Sequence, residues 1–157
     1  MFRTLVVALV LHGVFTVALP SLIVVWTREQ AWLLVELGPG RWLGAGAVLF
    51  GAYLYIWSLL RLVRRQTSAI PGARPSVLQV DGWYARVRHP LLLGVVLILL
   101  GEAALFESFA LLGYALAYWS WLTAFVVLKE EPELRDEFGD AYVAYCQRVR
   151  RWIPRVR

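Results

Sequence analysis

Cysteine is almost absent from this chain of 157 residues, which contains a single one, Cys146. A disulfide-stabilised fold is therefore excluded. Charged residues are also few, at 17%, whereas about a quarter of a soluble domain is usually charged. With 60% hydrophobic residues and a mean hydropathy of +0.62, the chain is not disordered, and lipid must surround most of it. The length fits one domain, residues 1–157.

The sequence also lacks the residue patterns of common hydrolases and metal sites. It has no Ser-His-Asp arrangement and no HExxH motif. Cys146 has no histidine or cysteine partner at the spacing of a zinc site, so we expect no metal. The net charge of +5 is compatible with nucleic acid binding, but the placement of the arginines favours membrane topology and no nucleic acid partner.

Long apolar stretches predict four membrane spans. The first two cover residues 4–26 and 42–63. The third stretch, 91–128, would be about 57 Å long as one helix, nearly two bilayers, so it must fold back. Glu107 and Ser108 interrupt it, and Ser108 suits the N-cap of the returning helix. The last two spans are therefore 91–107 and 109–128.

Basic residues orient these spans. Fourteen of the sixteen Lys and Arg residues fall on the side that holds the N-terminus, the 64–90 loop and the 129–157 tail. Only Arg28 and Arg41 fall on the other side. The positive-inside rule then predicts that both termini are cytoplasmic. The expected fold is an all-α, polytopic membrane helical bundle of about four spans in the cell inner membrane, with a cytoplasmic C-terminal helical cap.

Some polar or small residues inside the spans have simple structural explanations. Gly44, Gly46 and Gly51 predict close helix packing rather than a nucleotide-binding loop, since no strand precedes them. His12 stands alone in an apolar span and is expected to be a packed histidine. Glu102 lies about 20 Å along the helix from the start of the third span, and we expect it to reach water at the far interface.

Two polar clusters are predicted at the cytoplasmic surface. Arg88 and His89 precede Pro90, which suits a first helical position, so both cations lie at the positive end of the helix dipole. Glu130 and Glu131 end the fourth span, where carboxylates also oppose the dipole. Since the hairpin makes the helices neighbours, one interpretation is a structural ion pair between Arg88 and either glutamate. The other is a pocket for a ligand that carries both charges.

The tail carries apolar residues at helical spacing. They follow one another at intervals of four, four, three, four and four residues: Leu134, Phe138, Tyr142, Tyr145, Val149 and Ile153. Gly139 predicts a bend, and the arginines at 148, 150 and 151 are able to hold acidic headgroups. A helix lying on the membrane surface explains this stripe without a function. The alternative is a lid over the polar clusters, which would give the tyrosine hydroxyls partners.

Two groups of residues carry a resemblance to a known family. The first is Gly82-x-Tyr84-x-x-Val87-Arg88-His89-Pro90 with Gly94 four residues later. The second is Glu130-Glu131-x-x-Leu134, Phe138-Gly139, Tyr142-x-x-Tyr145, Val149 and Ile153-Pro154. Their order and spacing resemble the integral-membrane methyltransferases, such as isoprenylcysteine carboxyl methyltransferase and phosphatidylethanolamine N-methyltransferase. The resemblance covers about residues 78–155.

The resemblance implies a helical membrane enzyme that binds S-adenosylmethionine at the cytoplasmic face. The methyl acceptor is then a lipophilic thiol, carboxylate or amine that enters from the bilayer. The implied catalytic residues are His89, Glu131 and Arg148. Leu92 departs from the pattern, because the family usually has tyrosine at this position. The missing tyrosine hydroxyl is expected to alter the contact with the cofactor or the choice of methyl acceptor. The implied cofactor-binding residues are Gly82, Tyr84, Arg88, His89, Pro90, Gly94, Glu130, Glu131, Tyr142 and Tyr145.

Two other functions stay open at this point. NADPH-dependent reductases of sterols or isoprenoids resemble this group in their Arg-His-Pro and Tyr-x-x-Tyr regions, although they are generally much longer. A non-catalytic membrane module could also keep the fold for assembly or lipid binding, and Leu92 is the best argument for it. Binding of NADPH, or of neither cofactor, would distinguish these functions from methyl transfer.

Overall fold

The computed structural model describes residues 10, 12–27, 29–30, 33–34, 36–64 and 77–154. Within these ranges the secondary structure is helical, with isolated β-bridges and no strand. Parts of three predicted segments lie outside the described residues: 4–9 and 11 of the first span, 65–76 of the loop and 155–157 of the tail. The helices, in chain order, are α1 Val14–Thr27, α2 Trp42–Arg64, α3 Pro90–Leu105, α4 Phe109–Phe125 and α5 Glu131–Arg148.

Two helical stretches are long and apolar enough to cross a membrane, Gly38–Arg64 and Phe109–Arg148. Helices α1 and α3 are also apolar but shorter. Large apolar side chains stand on the outside of the bundle, where Leu43 is 80% and Leu128 is 78% exposed. Exposed apolar surface of this kind is unfavourable in water and suits lipid. The all-helical fold that the sequence predicts is confirmed for the described residues.

Helices α2 and α3 pack closely because glycines face each other. A Cβ added at Gly51 would lie 2.6 Å from the carbonyl oxygen of Gly94, and one added at Gly44 would lie 2.5 Å from that of Gly101. Neither distance is possible for a side chain, so only glycine permits this approach of the two backbones. The prediction of close packing is confirmed for Gly44 and Gly51. It was wrong for Gly46, where an added Cβ meets nothing within 4 Å.

The long apolar stretch folds back at the predicted residues. The Ser108 hydroxyl accepts a hydrogen bond from the backbone N–H of Leu111 at 3.3 Å, which confirms Ser108 as the N-cap of α4. Glu107 has a positive φ of 53° in the turn. Its carboxylate accepts hydrogen bonds from the backbone N–H groups of Leu37 at 2.8 Å and Gly38 at 3.0 Å. The α3–α4 turn is therefore tied to the chain just before α2.

The helix of the fourth predicted span does not end at Pro132. A π-helical turn, Val126–Glu130, joins α4 to α5, and helical backbone continues from Phe109 as far as the bend at Gly139. Pro132 is the second residue of α5 and directly follows this π-helical turn. The prediction that two carboxylates oppose a helix C-terminus was therefore wrong, since Glu131 begins α5 inside a continuous helix. The predicted bend at Gly139 is confirmed by its φ of 52° and ψ of −130°.

The apolar stripe of the tail forms its own cluster, separate from the main core between α2, α3 and α4. Its first five members pack there together with Leu78 and Cys146. Ile153 does not, because α5 ends at Arg148 and leaves Ile153 67% exposed. The stripe thus holds α5 against the segment that precedes α3.

The structure bears differently on the predictions for the two polar residues inside spans, His12 and Glu102. His12 is 4% exposed and its ring lies 5.2 Å from that of Tyr55, so the prediction of a packed histidine is confirmed. Glu102 was expected to reach water, but its Oε2 atom is buried and has no hydrogen-bond partner in the described part of the chain. The residue as a whole is half-buried, so only this oxygen of the carboxylate is shown to be shielded from water.

Candidate active site

The segment before α3 and the end of the tail lie side by side. A 3₁₀ turn, Gly82–Ala85, leads into Val87, which forms a parallel β-bridge with Arg150. The backbone N–H of Arg88 donates to the Arg150 carbonyl at 3.0 Å. These contacts bring the two regions that the sequence singled out into one surface.

Arg88 links this segment to both ends of α5. Its guanidinium donates to the carbonyl of Cys146 at 2.7 Å and to that of Val149 at 2.8 Å. The last carbonyls of a helix have no intrahelical partners, so these bonds cap the C-terminus of α5. Its Nη1 atom donates to Oε1 of Glu131 at 3.0 Å. Of the two ion pairs that the sequence allowed for Arg88, the structure forms the one with Glu131.

Glu131 is held by two arginines at once. Arg151 donates from Nε to Oε1 at 2.8 Å and from Nη2 to Oε2 at 2.7 Å, which is a bidentate geometry. Burial alone would raise the pKa of Glu131, but the hydrogen bonds from Arg151 and Arg88 and the nearby His89 imidazole hold the pKa of this carboxyl well below its usual range. Glu131 is therefore an ionised carboxylate with little basicity at neutral pH.

His89 is buried between the two glutamates. Its Nδ1 lies 3.3 Å from Oε1 of Glu130, its Nε2 lies 3.7 Å from Oε1 of Glu131, and its side chain is 5% exposed. Burial would lower the pKa of this imidazole, but the two carboxylates outweigh burial and raise the pKa to about 9. His89 is therefore an imidazolium at neutral pH. Its Nε2 is buried and forms no hydrogen bond with the described residues.

Buried tyrosines cover the cluster from the tail side. The Tyr145 hydroxyl donates to the Tyr84 carbonyl at 2.7 Å, which joins α5 to the 3₁₀ turn. Tyr142 is 1% exposed, and its hydroxyl makes no hydrogen bond to a nitrogen or oxygen atom of the described residues. Burial, followed by the Glu131 carboxylate, raises the pKa of Tyr142. Burial also raises the pKa values of Tyr145 and Tyr84, so all three stay protonated at neutral pH.

Three of the predicted site residues support the cluster through the backbone. Pro90 begins α3, as predicted, and directs His89 inward. Gly82 has a φ of 62°, and an added Cβ there would collide with the Trp57 indole, so glycine is needed for the turn. Gly94 faces α2, where an added Cβ would lie 2.7 Å from the carbonyl oxygen of Gly51. The structure therefore places Gly94 in a helix contact rather than beside the ionic cluster.

Arg148 is the predicted catalytic residue that the structure leaves outside the cluster. It is exposed, and its Nε donates to the Ala144 carbonyl of its own helix at 3.3 Å. Arg151 contacts Glu131 instead. Leu92, which stands where the family usually has tyrosine, is 6% exposed and packs in the main core.

Sequence reasoning missed the roles of Arg151 and Trp152. Arg151 was one of several tail arginines, and nothing in its spacing distinguished it from Arg148. Trp152 lies beside the site, with its ring 6.1 Å from that of His89. Both residues follow the end of α5, where helical periodicity no longer predicts the direction of a side chain. The only available signal was their closeness to the Ile153-Pro154 motif.

The cluster has the composition of a site for a zwitterionic ligand. Three cationic side chains, Arg88, His89 and Arg151, meet two carboxylates, Glu130 and Glu131, in a partly buried place. Among the residues that the structure describes, no group of three His, Cys, Asp or Glu side chains is arranged to hold a metal ion.

Comparisons with known proteins agree with the resemblance seen in the sequence. Residues 39–141 match the model of the Phospholipid methyltransferase family. The chain is 30% identical over 112 residues to the Protein-S-isoprenylcysteine O-methyltransferase of Schizosaccharomyces pombe (strain 972 / ATCC 24843), a match that covers 69% of this chain and 47% of that protein. The chain thus spans about half the length of this curated relative. Since the family match extends over more than half of its residues, the chain belongs to the phospholipid methyltransferase family.

Proposed function

We propose that this chain transfers a methyl group from S-adenosylmethionine to a lipophilic acceptor at the cytoplasmic surface of a membrane. The observation that carries the proposal is the partly buried cluster of three cations and two carboxylates at the start of α3 and α5. Family membership supplies the reaction class, since the matching family and the relative are both named as methyltransferases.

The residues of the cluster fit this cofactor by charge. S-adenosylmethionine carries an ammonium group, a carboxylate and a sulfonium. Glu130 and Glu131 complement the positive groups, and Arg88, Arg151 and His89 complement the carboxylate. When it is bound, the cofactor supplies an electrophilic methyl group.

Unused hydrogen-bonding groups at the same place support the fit. The Nε2 of His89 and the hydroxyl of Tyr142 are buried without a nitrogen or oxygen partner within the described ranges. Buried polar groups normally have partners, so these atoms leave capacity for a ligand. Tyr84 and Tyr145, joined by their hydrogen bond, complete the wall of the proposed cofactor site.

The proposed membrane arrangement has four spans with both termini in the cytoplasm. The two long apolar helices support this arrangement, and α1 and α3 would cross the membrane as shorter apolar helices. Arg61, Arg86 and Arg88 lie on the side of the cluster, and the opposite turns carry Arg41 beside Glu107 at 3.8 Å. This asymmetry follows the positive-inside rule, with the cell inner membrane as the proposed location and membrane lipids around the bundle.

The protonation states of His89 and Glu131 favour a methyl acceptor that is already anionic. A thiolate or carboxylate attacks the methyl carbon with a lone pair and releases no proton, whereas an amine must lose a proton to a base. His89 is protonated at neutral pH, and Glu131 is stabilised as a carboxylate by two arginines. Neither is a good base. Methyl transfer then depends mainly on alignment, which can supply roughly 7–11 kcal/mol.

Isothermal titration of S-adenosylmethionine and S-adenosylhomocysteine into the detergent-purified protein tests the proposal. We expect micromolar binding, lost on Glu131→Ala and kept in Glu137→Ala, which removes an exposed carboxylate from the same helix. NADPH serves as the comparison ligand.

Absence of binding by well-folded protein would contradict the methyltransferase assignment. NADPH binding alone would then indicate a reductase, and binding of none of the three would indicate a non-catalytic module. A Glu131→Gln variant with full activity would remove the carboxylate from any essential role.

A further inference from the structure

A pocket of about 190 Å³ lies at the C-terminal end of α2. It is lined by Trp57, Leu60, Arg61 and Arg64, none of which belongs to the ionic cluster around Glu131. In the proposed membrane arrangement this end of α2 reaches the cytoplasmic surface. Pockets that enclose a whole small molecule measure roughly 300–1,000 Å³. The pocket on α2 therefore fits one small group of a ligand whose remainder lies outside it.

Two arginines in the last turn of α2 make this pocket cationic. Arg61 forms an ion pair with Asp81, while Arg64 is exposed and adds a second positive charge. The Arg61 guanidinium lies 5.3 Å from the centroid of the Trp57 ring, a cation–π contact that holds it at the pocket wall. Its Nε atom is buried and has no hydrogen-bond partner among the described residues. One carboxylate thus faces two cations, and the lining suits an anionic group.

An apolar stripe on the same face of α2 continues from the pocket toward the middle of the helix. Phe50, Tyr53, Trp57, Leu60 and Arg64 follow one another at intervals of three, four, three and four residues, which places them on one side. Phe50 and Leu60 are each 45% exposed, and Tyr53 is 50% exposed. The stripe is about 21 Å long at 1.5 Å per residue, which exceeds the roughly 15 Å of hydrocarbon in one leaflet. An acyl chain can therefore lie along it with its head group at the arginines.

The 3₁₀ turn before α3 flanks this stripe. The Trp83 ring meets the Phe50 ring edge-on at 5.7 Å and the Tyr53 ring at 6.4 Å, measured between centroids. The Arg86 guanidinium lies 5.1 Å from the Trp83 ring centroid. Aromatic side chains of this kind are typical of the membrane–water interface. The stripe is thus bordered on one side by the turn, rather than lying on a bare helix.

We propose that the C-terminal end of α2 binds one anionic phospholipid. Arg61 and Arg64 hold its phosphate in the pocket, and one acyl chain follows the stripe from Leu60 to Phe50. Basic pockets on the cytoplasmic side of membrane helices bind anionic lipid head groups in this way. The lipid is a bound ligand that stays unmethylated, so the proposal does not depend on the proposed methyltransferase function.

Native mass spectrometry of the detergent-purified protein tests the proposal with two probes that share their acyl chains. Dioleoylphosphatidylglycerol is anionic, and dioleoylphosphatidylcholine is zwitterionic. We expect wild type to bind one phosphatidylglycerol molecule at least fivefold more tightly than phosphatidylcholine. Arg64→Gln should weaken phosphatidylglycerol binding about fivefold, as loss of one basic side chain near anionic lipid does, and leave phosphatidylcholine binding unchanged. Arg135→Gln removes an exposed arginine of α5 and should bind both lipids like wild type.

A second variant distinguishes the pocket from general surface charge. Leu60→Trp fills the pocket without changing any charge, and we expect it also to weaken phosphatidylglycerol binding at least fivefold. Leu43→Trp is its control, because Leu43 is 80% exposed near the other end of the same helix. Glycerol 1-phosphate presents a phosphate without acyl chains, and it should not displace the lipid at equal concentration.

The proposal is overturned if wild type does not prefer phosphatidylglycerol, a result that does not depend on the folding of any variant. It is also overturned if Leu60→Trp binds phosphatidylglycerol like wild type, because the preference would then come from general surface charge. Displacement of the lipid by glycerol 1-phosphate at equal concentration would assign the pocket to a soluble phosphate compound and overturn the lipid site. None of these measurements uses S-adenosylmethionine, so their failure is separate from a failure of the methyltransferase assignment.

Discussion

Arg151 and Glu131, twenty residues apart in the chain, form a bidentate pair with distances of 2.8 and 2.7 Å. The pair closes the tail over the first turn of α5. Arg151 is 33% exposed and Glu131 is 15% exposed, so water reaches the arginine side of the pair first. Because Arg88 holds Glu131 independently from the inner side, we expect Arg151 to be the partner that a ligand ammonium replaces.

Arg88→Lys should destabilise the tail although the charge is kept. Lysine cannot reproduce the fork that reaches the carbonyls of Cys146 and Val149 together with Glu131. We expect a loss of about 1–3 kcal/mol, as for leaving shielded acceptors without their hydrogen bonds. Thermal unfolding in detergent measures it, and limited proteolysis should cut the tail first. Arg135→Lys, at an exposed position on α5, is the control and should unfold like wild type. Equal stability of the two variants would contradict the role of Arg88 in holding the tail.

Stability should fall as the pH rises through the titration of His89. The folded pKa of about 9 lies above the unfolded value of 6.5. The stabilisation from the imidazolium is therefore fully present below about pH 6.5 and is lost as the pH approaches and passes 9. Melting temperatures measured from pH 6 to 10 should decline over this window. His89→Gln should flatten the profile, and an unchanged slope in that variant would assign the decline to other groups.

Gly94→Ala should loosen the α2–α3 contact. The added Cβ would lie 2.7 Å from the Gly51 carbonyl oxygen and 2.8 Å from the Tyr55 nitrogen, so the backbones must move apart. We expect a cost of about 1–3 kcal/mol, the usual range for overpacking. Gly113→Ala is the control, because nothing lies within 4 Å of its added Cβ. The free energy of unfolding of that variant should rise by about 0.5–1 kcal/mol, because alanine has the higher helix propensity. Equal changes in the free energy of unfolding for the two variants would contradict the close α2–α3 contact at Gly94.

Ser108→Ala should weaken the α3–α4 hairpin by about 1 kcal/mol, because the Leu111 N–H loses its cap. Ser120→Ala removes a hydroxyl that bonds only to the Leu116 carbonyl of its own helix, and it should change stability by less than about 0.5 kcal/mol. Thermal unfolding of the two variants side by side makes the comparison. A larger loss from Ser120→Ala would contradict the assignment of the cap.

Local features of the chain could be read from the sequence because their causes are local. A serine before an apolar helix, a proline at a helix start and a glycine at a bend act within one turn, and Ser108, Pro90 and Gly139 all do what the pattern predicts. The end of α4 was misread, since a π-helical turn lets the helix continue into Pro132. That outcome depends on how α5 docks, which no local pattern encodes.

The helical class, the apolar surface and the family were determined by the sequence alone. Composition, periodicity and motif spacing are properties of whole segments, so they do not depend on how those segments pack. The tertiary structure alone decided which arginine of the tail meets Glu131. Arg148 and Arg151 are three residues apart, yet α5 ends between them and the irregular backbone turns only Arg151 inward. It also directed Gly94 toward α2 and brought Trp119 and Trp152 together. Such choices depend on contacts between distant segments, and they exist only once the helices have packed.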